Sequence, residues 1–420
     1  MHDFLTGTVF LLFFIVLLGY FNERVTKLPY EISLMLFSTI IGAILLLAAA
    51  ANIDVSVLDI LSTAQFFNLE EFLIEGVLCF MLFAGSCHMK LFDFGRHSRM
   101  ISLLAVGSTL LGAVFYGLLF YGVSAILNLG MSLPVCLMFG SITAPTDPIA
   151  ATSILKKFNL PKNISFIMEG ESLLNDGIGV ALFVCFSGIV TAENSGSFFA
   201  VMAKELFGAI LVGVIVTLLL FPLFRSTVNH GRQIFTSLLA VSAAYLLCEH
   251  FGFSGAIASV VCGVLFSACR NDLERKGQPL DLEQFDIFWE ILDSLLNSAL
   301  YVMLGFSFLH ILQMPNLIIL STLAIVINLI CRSSSVGIAT LAAGPLPDGY
   351  HKSSFIKLLT WGGLRGGLSV ALALSTQPML DETTYYVLLG GTYAIVFFTT
   401  IVQGLTMPKV YAGIKAGIKE

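Results

Sequence analysis

A succession of long apolar runs, each closed by a short polar segment, constrains this chain more than any other feature. Runs at 4–20, 30–47, 71–87, 100–127, 134–154, 163–190, 200–224, 233–248, 253–268, 285–310, 315–343, 353–375 and 384–402 follow one another with little between them. A run of about 20 apolar residues crosses the hydrocarbon core as a helix, because only a backbone that satisfies its own hydrogen bonds is tolerated there. The chain is 57% hydrophobic and 11% charged, with a mean hydropathy of +0.93. Soluble domains hold about 45–50% apolar residues. The expected fold class is therefore an all-α polytopic membrane protein of about 13 transmembrane helices.

Positive charge orients these spans. Eighteen of the 21 Lys and Arg fall in alternate loops, beginning with Arg24 and Lys27 and ending with Lys409, Lys415 and Lys419. That alternation puts the N-terminus outside and the C-terminus in the cytoplasm. Asp3 precedes the first run and basic residues follow it, so it reads as an uncleaved helix and not as a signal peptide. The net charge of −6 comes without a basic tail, and no nucleic-acid partner is expected. Eight scattered cysteines lack CxxC spacing and read as packing residues. The histidines are dispersed, no nucleotide or resident-metal motif occurs, and the spans exclude a soluble enzyme.

Against this background the charges inside the runs stand out. The segment MEGESLLNDGIGVALF at 168–183 holds Glu169, Glu171 and Asp176. A carboxylate at bilayer depth costs about 2.5–3.5 kcal/mol on insertion scales, so it persists where it lines a cavity, pairs or binds something. Ser172 and Asp176 are four apart and share a helix face, with Asn175 beside them. Hard oxygen ligands of this kind suit a small cation or a proton.

Two spans are interrupted. The fifth carries Pro145 and Pro148 around Asp147, and the twelfth carries four glycines around Arg365. Prolines and glycines at mid-depth free backbone groups, which is tolerable only against protein or a watery cavity. Arg365 is expected either near Asp147 or capping carbonyls of a broken helix. Because the two spans lie seven apart, they run in opposite directions, and spans 1–6 and 8–13 form two six-helix blocks of inverted topology. Interrupted helices in corresponding places of inverted repeats, crossing at the midplane, mark a secondary transporter. Of the remaining acids, Glu75 reads as snorkelling to the outer boundary, while Glu290 and Asp293 fit either a cation funnel or snorkelling.

Four segments, TAPTDPIAA at 143–151, GESLLNDG at 170–177, FWEILDSLLNSALYVMLG at 288–305 and TWGGLRGGLSVALAL at 360–374, resemble the monovalent cation:proton antiporters, in particular the NhaP/NHE-type sodium/proton exchangers. The resemblance implies a homodimer, with a dimerisation part at about 1–90 and 233–310 and a core at about 100–190 and 315–405 that moves like an elevator. It puts Asp176 on the essential carboxylate, Asn175 on its asparagine partner, and Ser172, Thr146 and Asp147 at or beside the ion, with Asp176, Ser172 and Thr146 as the ligands of transported Na⁺. Glu171 falls on a structural acid paired with an arginine, here Arg332. Where many members carry an acid in the third span, this chain reads Leu82–Phe83–Ala84–Gly85. The chain ends soon after Met407–Pro408, without the long C-terminal regulatory domain of eukaryotic members, which favours a prokaryotic inner-membrane transporter.

Charge bookkeeping leads the same way. Asp147, Glu171 and Asp176 face Arg332 and Arg365, which leaves one carboxylate without a fixed partner. A proton or one monovalent cation, Na⁺ with Li⁺ or K⁺ as further candidates, discharges that surplus, so the expectation is electroneutral one-for-one exchange with no cofactor beyond the transported ions. A sodium-coupled organic anion transporter of the same build, holding its substrate on Arg365, is the alternative, and a passive cation channel the third reading.

Overall fold

The computed structural model describes residues 2–50, 77–88, 91–147, 160–191, 198–277, 280–307, 317–346 and 350–418. Among them all regular structure is helical. The chain runs through α1 (His2–Phe21), α2 (Tyr30–Ala50) and α3 (Leu78–Cys87). Next come α4 (Leu91–Ser102) and α5 (Thr109–Ile126), joined by a π-helical stretch, then α6 (Leu133–Ile142) and α7 (Lys162–Val190). The middle of the chain forms α8 (Phe198–Ser226), α9 (His230–Phe251), α10 (Gly255–Arg275) and α11 (Glu283–Ser307). The last part forms α12 (Leu317–Ala343), α13 (Lys352–Trp361), α14 (Gly367–Leu374), α15 (Glu382–Phe397) and α16 (Gly404–Ile418).

Every expected span overlaps one of these helices, and nine continuous helical stretches among the described residues are long and apolar enough to cross a membrane. The third expected span is described from residue 77 onward, so Glu75 lies outside the described residues, as does the fifth span beyond residue 147. Local chemistry sets several ends. Asn229 caps α9 by accepting from the Arg232 amide at 3.0 Å, and Gly252 closes it in the left-handed region at φ 66°. Ser254 then caps α10, and Asp381 caps α15 through the Thr384 amide at 3.0 Å. Within the spans, hydroxyls such as Ser38, Ser86 and Thr217 return to carbonyls one turn back, so their polarity is met inside the helix.

Packing is densest within two sets of helices, which also touch each other, α7 lying against α10 and α3. α2 and α1 lie on α11, and α3 lies on α10 and α11. In the other set α5, α6 and α7 pack on one another, α12 lies against α5, α13 and α15, and α14 lies on α15 and α6. α8 packs on α9 and α10 and also touches α7. One apolar cluster centres on the fully buried Trp289 with Phe83, Phe224, Phe266 and Phe285. α8 turns Phe207, Leu211, Leu218 and Leu219 outward, as a helix does when hydrocarbon is its solvent.

Both sequence interruptions are breaks in the helices. α6 stops at Ile142, and residues 144–147 are irregular. α13 stops at Trp361, residues 363–366 are irregular, and α14 restarts at Gly367. The two breaks meet where the Asp147 amide donates to the Leu364 carbonyl at 2.7 Å.

Candidate ion-binding site

The crossing of the two breaks is built from groups that proline and glycine leave over. Pro145 has no N–H, and the carbonyls that end α6 have no helical donors beyond them. Arg365 supplies those donors: its Nη1 donates to the Ala144 and Pro145 carbonyls, the latter at 2.8 Å, and its Nη2 donates to Asn328 Oδ1 at 3.1 Å. A cation at the C-terminal end of α6 also meets the negative end of the helix dipole. Arg365 thus caps the freed carbonyls, and its neighbours Leu364 and Gly366 lie against Asp147. Its own backbone is fixed in turn, since its amide donates to Thr399 Oγ1 at 3.0 Å and its carbonyl accepts from Thr400 Oγ1 at 3.1 Å. Both threonines sit in the π-helical stretch Phe398–Gln403 between α15 and α16, a kind of bulge that often marks functional positions.

Within this break Thr146 and Asp147 find partners on different helices. Thr146 turns to α7. Its amide donates to Asn175 Oδ1 at 3.2 Å, its hydroxyl accepts from Asn175 Nδ2 at 2.7 Å and lies 3.4 Å from Ser172 Oγ, and its carbonyl accepts from the Ser172 hydroxyl. Asp147 turns instead to α11 and α14. Its Oδ2 accepts from the Tyr301 hydroxyl at 2.5 Å, and a Cβ on Gly366 would lie 3.0 Å from the same oxygen. A side chain at 366 would press on the carboxylate at the start of α14, where the positive end of a helix favours an anion. On the far side of the break Gly179 of α7 leaves room for the Pro145 ring, which a Cβ there would strike.

Two acids on α7 meet opposite fates. Glu171 is buried, accepts from Arg332 Nη1 at 2.8 Å and Nη2 at 3.1 Å, and takes a further bond from Asn175 Nδ2 at 3.1 Å. This is the bidentate pair that the resemblance implies. Asp176 is half-buried, and among the described residues it takes part in no hydrogen bond or ion pair. It lies one turn beyond Ser172 on the same face and next to Asn175.

The structure thus brings Thr146, Ser172, Asn175 and Glu171 into one bonded network, joins Asp147 to the crossing, and leaves Asp176 with its carboxylate uncommitted. Asn175 spends both ends of its amide on the scaffold. At the outskirts Glu290 is exposed and Asp293 half-buried, the latter accepting from Asn297 Nδ2 at 3.0 Å. Glu169 accepts from the Ser165 hydroxyl at 3.1 Å, a turn before the network. Sequence reasoning passed over Tyr301, Asn328, Thr399 and Thr400. For Tyr301 one signal exists, since Asp293, Asn297 and Tyr301 recur every four residues as a polar stripe on α11.

Comparison with known proteins agrees with this architecture. The solved sodium proton antiporter MjNhaP1 from Methanocaldococcus jannaschii superposes with a TM-score of 0.73, at 21% identity, over 98% of both chains. In sequence, the Na⁺/H⁺ antiporter NhaP of Pseudomonas aeruginosa is 28% identical over 410 residues, 96% of this chain and 95% of that one. The Na⁺/H⁺ antiporter NhaH of Halobacillus aidingensis is 32% identical over 319 residues, 73% of this chain and 76% of its own length. The profile of the family described as sodium/hydrogen exchanger, transmembrane, matches residues 10–412, so that nearly every helix described above lies inside it, and the chain belongs to that family.

Proposed function

We propose that the chain exchanges Na⁺ for H⁺ across a membrane, one for one and without net charge, with Asp176 as the carboxylate that both ions share. One observation carries the reading: of the two acids on α7 at the crossing, Glu171 is locked to Arg332, whereas Asp176 takes part in no bond among the described residues. A half-buried carboxylate in that state binds a proton or a cation in turn. Na⁺ would take Asp176 together with oxygens of Ser172 and Thr146, while Asn175 holds the break in place. Each ion discharges the site and allows the loaded core to cross the barrier; the empty, charged site does not cross. Competition for one carboxylate is then sufficient for exchange. The antiporters named among the relatives support this reading, and Li⁺ and K⁺ remain candidates beside Na⁺.

In the same reading the helices at about 1–90 and 233–310 form the dimerisation part of a homodimer, and those at about 100–190 and 315–405 form a core that moves as an elevator. The denser packing within α1–α3 with α10 and α11, and within α5–α7 with α12–α15, supports it. The N-terminus lies outside and the C-terminus inside a prokaryotic cell membrane. An organic anion would need Arg365, and its guanidinium is occupied by two carbonyls and Asn328.

The test is collapse of an imposed pH gradient in proteoliposomes on addition of Na⁺, Li⁺ or K⁺. Saturable, cation-dependent proton efflux is expected. Uptake of a labelled organic anion, or a current without saturation, would replace the exchanger by one of its rivals.

A further inference from the structure

Tyr301 is the one α11 hydroxyl bonded to the broken part of α6 among the described contacts. The ring is fully buried, and its hydroxyl donates to Asp147 Oδ2 at 2.5 Å. Leu300 beside it packs on α14, so closely that a Cβ on Gly367 would strike its side chain. α11 belongs to the set of helices that holds α1–α3, whereas the crossing belongs to the set that holds α5–α7 and α12–α15. The bond therefore spans the boundary between the two sets. On the crossing side Asp147 is held by its amide bond to Leu364 and by the close approach of Gly366, and its neighbour Thr146 faces the opposite way, to Ser172 and Asn175.

We infer that Tyr301 is a positioning residue that holds the Asp147 carboxylate on the α11 side of the break, out of the coordination shell of the transported cation, and so sets the affinity for that cation. The inference rests on the exchange reading given above. A hydroxyl donated to a carboxylate satisfies one of its lone pairs and fixes its direction, and bonds to charged groups are the stronger kind. With the donor present, the cation has one carboxylate, Asp176. With the donor gone, the Asp147 carboxylate loses that fixed direction and can turn to the cation as a further hard oxygen ligand. An added carboxylate tightens cation binding and slows release.

Na⁺-dependent exchange by Tyr301→Phe in proteoliposomes tests this. The expected result is a KM for Na⁺ lowered about threefold to tenfold, the range that loss of one charged hydrogen bond can redirect, together with a reduced maximal rate. The ratio of Li⁺ to Na⁺ affinity should change as well, because a two-carboxylate site favours the smaller, harder ion. In an Asp147→Asn background the same Tyr301→Phe change should leave KM where it was, since no carboxylate is left to release. Should the phenylalanine variant fail to fold, 3,5-difluorotyrosine at position 301 keeps the ring and strengthens the donor, and KM should then rise. An unchanged KM and Li⁺ to Na⁺ ratio, with only a lower rate or lower thermal stability, would reduce Tyr301 to packing and overturn the inference. Wild-type protein that shows no cation-dependent proton movement would instead sink the exchange reading, so the two failures are told apart.

Discussion

Glu171 and Asp176 stand five residues apart on one helix, carry the same functional group, and are put to opposite uses. Glu171 has an arginine fork on both oxygens and an amide beside it; Asp176 has no bonded partner among the described residues. The difference comes from what the neighbouring helices bring, since α12 sends Arg332 to Glu171 and no described helix sends a partner to Asp176. A buried pair is worth little in net stability, yet costs much when half of it is removed. An unpaired acid costs stability and gains an ion. α7 therefore carries a scaffold and a working group made of the same chemistry, and the contrast can be attacked at several points.

The largest effect is expected at the working acid. Asp176→Asn removes the group proposed to bind both ions, so exchange in proteoliposomes should fall to background while size-exclusion behaviour and thermal stability stay near wild type. Activity well above background would mean that the roles of the two acids have been read the wrong way round. Glu171→Gln and Arg332→Ala should do the reverse and damage the fold first. Each strands a buried charge, at a cost of about 3–5 kcal/mol, and a neutral double variant should recover part of it. If one single variant proves as stable as wild type in a thermal melt, Glu171 joins Asp176 as a candidate ligand.

A smaller loss, about 1–3 kcal/mol, is expected for Arg365→Lys. Lysine keeps the charge but loses the planar fork that reaches two carbonyls and Asn328 together. Gly179→Ala should cost a similar amount or less, about 1–3 kcal/mol, by driving a methyl group into the Pro145 ring. Gly413→Ala, where a Cβ meets nothing within 4 Å, serves as its neutral control. The last expectation is a null result. With one uncommitted carboxylate per cycle, a potassium diffusion potential set by valinomycin should leave the exchange rate unchanged, and a dependence on potential would show that the Glu171–Arg332 pair moves charge too.

Much of this was legible in the residues, for definite reasons. Pro145, Pro148 and the glycines around Arg365 announce broken helices because their backbone limits are local properties. Acids and arginines in apolar runs announce a site because their cost depends on burial alone. The pairing of Glu171 with Arg332 came from the resemblance, since nothing in the spacing of residues 161 positions apart fixes a contact. Tyr301 was missed for a related reason. A tyrosine in an apolar run reads as packing, and its partner lies 154 positions away on another helix. Asn328, Thr399 and Thr400 are hidden in the same way, as uncharged residues whose roles exist only once the crossing has formed.

The link between the Asp147 amide and the Leu364 carbonyl is made of main-chain atoms alone. Side chains at either position can therefore drift over generations without cutting it, and at position 147 only proline would remove the donor. Insertion or deletion is another matter. One residue more or less in either break would slide the two segments out of register and part every contact of the crossing at once. Lineages descended from such a chain should keep the number of residues in each break constant.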